Sequence, residues 1–173
     1  MNAHNWLRLI HIVVGAFWVG TAVFVAALLA PAIRAVGPNG GAVMRELMEN
    51  RKMPLVLMLA SWTTVISGSV LAWRDAGAHG FRWFEQGAGL GFGIGAVAAI
   101  AGMTIGLSVN LPAGKRIAAI MSQLQAQGRG PNDQESAQLR QLQGRLSSAS
   151  RVTAVLLVIA LAFMAIARNF GAS

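Results

Sequence analysis

Four long apolar runs separated by shorter polar stretches dominate the pattern of the chain, at 6–30, 54–73, 87–109 and 152–167. Each approaches the roughly 20 apolar residues that a helix rising 1.5 Å per residue needs to cross a hydrocarbon layer. No water is present there to satisfy backbone N–H and C=O groups, so all four are expected to be helices. The pattern predicts an all-α, polytopic membrane protein, a four-transmembrane-helix bundle in which residues 1–173 form a single membrane domain.

The linkers carry their own signals. Leu and Met recur on one side of 42–50, which predicts a short interfacial helix, and Pro54 falls in the first turn of span two, where a missing N–H costs nothing. After Asn110-Leu111-Pro112 the chain leaves the membrane and a helical pattern resumes to about Gln127, breaks over GRGPND and restarts at Asn132, which has capping-box spacing to Glu135. Leu139, Leu142 and Leu146 match Ile117, Ile120, Met121 and Leu124 on the preceding arm. Segment 113–151 is therefore expected to be an antiparallel helical hairpin extending spans three and four. Helix running unbroken from Asn132 through span four would be about 54 Å long, well beyond the hydrocarbon thickness. Arg8 ahead of an apolar run ending in ALLAPA has the outline of a signal peptide, but the run is longer than a signal core, and a retained span is expected.

Small residues are placed for close packing. Gly91, Gly95, Ala98, Gly102 and Gly106 fall near one face of span three, and span two carries Ser61, Thr63, Thr64, Ser67, Gly68 and Ser69. Such faces let helices approach and hydrogen-bond. The glycines, with Leu139 and Leu142 of the hairpin, are the candidate interface residues. The run from Gly91 to Ala96 matches a dinucleotide fingerprint in letters, but no strand precedes it and no βαβ unit surrounds it, so a nucleotide site is set aside.

Composition supports the membrane reading: 55% of residues are hydrophobic, 12% are charged, and mean hydropathy is +0.56. The net charge of +8 does not form a basic stripe with interleaved aromatics, which excludes a nucleic-acid partner. Ten basic residues, from Arg34 to Lys52 and from Lys115 to Arg151, fall in the linkers after spans one and three, against Arg8, Arg74, Arg82 and Arg168 on the other side. That asymmetry puts both linkers in the cytoplasm and both termini outside, which is the periplasm in the bacterial inner membrane expected for the chain. Trp6, Trp73 and Trp83 would then form one outer aromatic belt.

Little chemistry is available. No cysteine is present, which removes disulfides, thiolate metal sites and covalent haem attachment. Every acidic residue lies in a linker, against proton-coupled transport through carboxylates. His11 is the exception, an imidazole inside span one that shares a face with Gly15, Trp18 and Ala22. It is a candidate ligand or proton-handling group; the alternative is a histidine hydrogen-bonded near the interface or packed against another subunit. Met164 reaches a similar depth on span four and is the candidate second axial ligand, with a core methionine as the alternative. His4, Asp75 and His79 all fall on the outer side, where they are candidates for a copper-type metal site.

His11, Trp18, Gly20, Pro31 and the run Met48-Glu49-x-Arg51-Lys52, followed by a proline-containing second span, resemble the small bacterial membrane proteins grouped with copper-resistance protein D and HemJ-type protoporphyrinogen oxidase. The similarity covers about the first 75 residues. It implies a helical bundle in which His11 is an axial ligand to haem b, with Trp18 beside the macrocycle. Span three has neither the lysine nor the further histidines of the HemJ type, so the oxidase activity is not carried over. Two functions follow. The first is a non-catalytic accessory or structural subunit of a larger bacterial membrane complex or homo-oligomer, packing through the third span and the hairpin. The second is a haem b-binding redox protein built on His11.

Overall fold

The computed structural model describes residues 2–36 and 40–170, which are almost wholly helical and include no strand. Helix α1 spans Ala3–Ala35, a short α2 spans 40–50, and α3 spans Met53–Ala76; α4 covers Gly87–Ala126 and α5 covers Asp133–Asn169. Helices α1, α3, α4 and α5 are long and apolar enough to cross a membrane, at 33, 24, 40 and 37 residues. The protein is a multi-pass, all-α membrane protein. Its helices form a ring, α1 packing on α3 and α5, and α4 packing on α5 and α3.

Because lipid is as apolar as a side chain, burial alone does not hold such a bundle together, and close packing must. Outward positions such as Val13, Phe17, Leu59, Val97 and Val155 are exposed. Inside, one large ring is set among small residues: Trp18 shares a core cluster with Ala60, Ala98, Ala99, Ala160 and the fully buried Leu157.

The glycine face of span three is spent on α5 of the same chain. A Cβ at Gly91 would lie 2.8 Å from the Ala167 Cα, one at Gly95 would lie 2.8 Å from Met164 Cγ and 3.1 Å from the Ala160 carbonyl oxygen, and one at Gly102 would lie 3.2 Å from Leu157 Cδ2. Gly106 differs, with nothing within 4 Å. Three of the four candidate interface glycines therefore hold the bundle itself together.

The expected exit at Asn110-Leu111-Pro112 is not a break, since α4 continues to Ala126 through a π-helical turn, Gly106–Asn110. A proline lacks the N–H for the usual bond, and its ring crowds the carbonyl four residues back. Widening the preceding turn, so that the Leu111 N–H reaches the Gly106 carbonyl, accommodates both. Helix α1 uses the same device ahead of Pro31, where a π-helical turn over Val25–Leu29 lets the Ala30 N–H reach the Val25 carbonyl.

Past these turns α4 and α5 run on as paired arms that bury Ala113, Leu124 and Leu139; Leu142 is half-buried beside them. The capping box forms: the Asn132 side chain accepts from the Glu135 N–H at 2.8 Å, and the Asn132 N–H donates to the Glu135 carboxylate at 2.9 Å. Arg129 donates to both Glu135 oxygens at 2.7 Å. Arg34 donates to Ser147 at 3.0 Å and Arg45 to Gln125, which ties the first linker to the hairpin. At the other end, a 3-10 segment, Gly77–Glu85, folds over α4, with Trp83 stacked on Phe92 at 6.0 Å.

Candidate functional site

His11 stands a little over two turns into α1 and points at α3. Its Nδ1 lies 2.9 Å from the Thr64 carbonyl oxygen and 3.2 Å from Ser67 Oγ. A carbonyl oxygen can only accept, so Nδ1 carries the hydrogen. Ser67 has already committed its own hydrogen to the Thr63 carbonyl at 2.6 Å, and its lone pairs are left to accept from the imidazole. The tautomer follows: Nε2 holds the lone pair, and among the described residues it takes no hydrogen bond.

The approach depends on missing side chains. A Cβ on Gly68 would come within 2.7 Å of His11 Cε1, and one on Gly15 within 3.3 Å of Thr64 Cγ2. Glycine at these two positions lets α1 and α3 close to a distance at which a ring nitrogen reaches a main-chain oxygen. The hydroxyls along this face of α3 are satisfied within their own helix, Ser61 by the Met58 carbonyl and Thr64 by the Ala60 carbonyl, both at 2.8 Å. Ser61, Thr64 and Ser67 are all buried. Among the described residues, His11 alone crosses this interface to make its hydrogen bond. This is the orientation in which a backbone carbonyl fixes a ligating histidine, leaving one nitrogen to give electrons to an iron or other metal centre.

The remaining candidates are dispersed. Trp18, two turns deeper on the same face, is 6% exposed and fills the core layer with Ala60, Ala98 and Leu157. Met164 lies against Gly95, on the α4–α5 side of the ring, while the imidazole is held on the α1–α3 side. His4 sits in the first turn of α1, Asp75 in the last turn of α3, and His79 beyond the left-handed Gly77 in the 3-10 segment. Among the described residues no group of three or more His, Asp or Glu side chains converges, so the expected outer-side metal cluster is not assembled. Sequence reading did not foresee Thr64, Ser67 and Gly68 as partners of His11, although a Ser/Thr/Gly face at helical spacing opposite an intramembrane histidine was visible. No family model, curated protein or solved structure matches the chain.

Proposed function

We propose that the protein is a haem b-binding redox protein of a bacterial inner membrane, with His11 as an axial ligand through Nε2. One observation carries this reading: Nδ1–H is tied to the Thr64 carbonyl and Ser67, so the nitrogen facing away from that contact is the electron-pair donor. An imidazole with one nitrogen free of hydrogen is a donor of the type that suits iron, and Gly68 gives the ring its seat. Haem would supply one-electron chemistry; the chain orients the imidazole through the Thr64 carbonyl and Ser67. The resemblance of the first two spans to the copper-resistance D and HemJ group points the same way, and the excess of basic residues on the hairpin side supports both termini lying in the periplasm. A visible spectrum of the purified protein tests the reading. We expect a b-type Soret band that His11→Ala abolishes while thermal unfolding remains cooperative. Protein from haem-replete cells with no Soret band and no retained metal would overturn it.

A second reading, an accessory subunit of a larger complex, is supported by the hairpin. The arms of α4 and α5 extend well past the apolar spans, further than a membrane crossing requires, and expose Met121. Native mass measurement in mild detergent separates the two: stable heteromeric particles favour the accessory role, and a cofactor-bearing particle of this chain alone favours the first.

A further inference from the structure

Where α4 and α5 leave the apolar part of the bundle, a groove of about 820 Å³ opens between them. It lies between two tight contacts, Gly102 against Leu157 inside the bundle and the buried Leu124 and Leu139 in the arms. Two features hold it open. The π-helical turn Gly106–Asn110 and Pro112 shift α4 locally, and Gly144 on α5 brings no side chain, with nothing within 4 Å of where its Cβ would be. The lining of the groove includes the apolar Val109 and Pro112 on the span side and the basic Arg116, Arg140 and Arg145, with Leu142 between the last two.

These arginines differ from others on the same side of the protein. Arg34, Arg45, Arg51 and Arg129 each donate to a protein acceptor, whereas among the described residues Arg116, Arg140 and Arg145, like Arg151 nearer the span, donate to none. Guanidinium groups left unpaired around one concavity repel one another unless an anion joins them. The groove begins at the end of an apolar span and ends in arginines, so the ligand it fits has a hydrocarbon part and an anionic head at the level of the membrane surface.

We propose that this groove binds an anionic phospholipid, its phosphate held by Arg116, Arg140 and Arg145 and its glycerol and upper acyl chains against Val109 and Pro112. The site is separate from His11 and stands whether or not haem is bound.

The test is lipid retention by the full chain reconstituted into vesicles of equal parts phosphatidylglycerol and phosphatidylcholine, then extracted and read by native mass spectrometry. Bound phosphatidylglycerol in excess of phosphatidylcholine is expected. Combined Arg116→Gln, Arg140→Gln and Arg145→Gln should weaken its retention by roughly 100-fold, since each arginine near an anionic surface contributes about fivefold. Arg74→Gln with Arg82→Gln, on the opposite side, should change nothing. Gly144→Leu keeps every charge and fills the groove, so it should also expel the lipid; if it does not, diffuse surface charge is responsible and the groove is not the site. Equal retention of both lipids by the unaltered chain, or displacement of the lipid by millimolar glycerophosphate, would likewise overturn the proposal, the latter in favour of a soluble phosphate ligand. Thermal unfolding of each variant, followed by tryptophan fluorescence, separates lost binding from lost folding.

Discussion

The imidazole of His11 lies over the bare α-carbon of Gly68, so close that a methyl group there would stand 2.7 Å from Cε1. The pair accounts for how a titratable ring is kept in a membrane helix. Without Gly68 the ring does not reach the Thr64 carbonyl, and an imidazole in hydrocarbon without a partner is expensive. The same closeness fixes the tautomer, because the main-chain group that Nδ1 meets, the Thr64 carbonyl, is an acceptor.

Gly68→Ala is therefore expected to act on His11 rather than on α3. Overlap with a ring tightly seated between two helices should cost about 1–3 kcal/mol, as overpacked cores do. The His11 Nδ1–H resonance in solution NMR of the detergent-solubilised protein should move towards the position of an unbonded imidazole. Ser67→Ala, which leaves the Thr64 carbonyl in place, should shift that resonance far less. Equal shifts from both variants would show that Ser67, and not the carbonyl, holds the ring.

The glycines of α4 are not interchangeable, and two of them predict opposite outcomes. Gly91→Val would drive a branched side chain into the Ala167 main chain, which cannot move aside as a flexible side chain can. Separation of α4 from α5 and loss of cooperative unfolding are expected. At Gly106 nothing lies within 4 Å, so Gly106→Ala meets no steric cost and gains about 0.5–1 kcal/mol of helix propensity if the π-helical turn tolerates it. Thermal unfolding in one detergent checks both; a Gly91 variant as stable as the parent would refute the packing assigned to that face.

The hairpin tip carries a pH dependence of definite sign. Hydrogen bonds from Arg129, and then from the Asn132 N–H, pull the Glu135 pKa down from 4.5 to about 2. A depressed carboxylate pKa means that the interaction stabilises the tip fully above 4.5 and is lost as pH falls through about 2. Amide exchange at residues 132–136, corrected for intrinsic rates, should stay slow from neutral pH down to about 4 and quicken only below that. High salt should blunt the effect, because the pair is at the surface. Loosening centred on the ordinary glutamate value would mean that the capping box does not persist in solution.

Much of this architecture was legible because membrane helices announce themselves by length. The four apolar runs, the Asn132 and Glu135 cap and the paired arms follow from hydropathy, spacing and capping chemistry, and each has its counterpart in the helices. What the pattern could not reveal is how faces pair. The glycine stripe of span three has the same appearance whether it meets another subunit or α5, and only the fold shows Gly95 against Met164. Residue spacing along the spans sets Met164 level with His11, but the order of helices in the ring gives Met164 to α4 and His11 to α3. Asn110-Leu111-Pro112 has the pattern of a helix interruption because proline breaks helices in water; a widened turn lets α4 pass it unbroken.

Among the described residues Leu157 is the largest side chain sealed completely, at 0% exposure, and it stands in the layer that Trp18 fills from α1. Four of the buried residues that share its cluster, Ala60, Ala98, Ala99 and Ala160, are alanines, whose short side chains cannot collapse into the space it would leave. Leu157→Ala should consequently cost near the upper end of the range for large-to-small substitutions, about 3–5 kcal/mol, because the cavity persists. Val155→Ala, two residues away and 59% exposed towards lipid, removes fewer methyl contacts and should cost well under about 1 kcal/mol. The readout is Trp18: its emission should red-shift and become more quenchable in Leu157→Ala, and stay as it is in Val155→Ala. Trp6, Trp62, Trp73 and Trp83 replaced by Phe in the background would isolate that signal. An unchanged Trp18 environment in Leu157→Ala would mean that the four helices do not share the core layer described above.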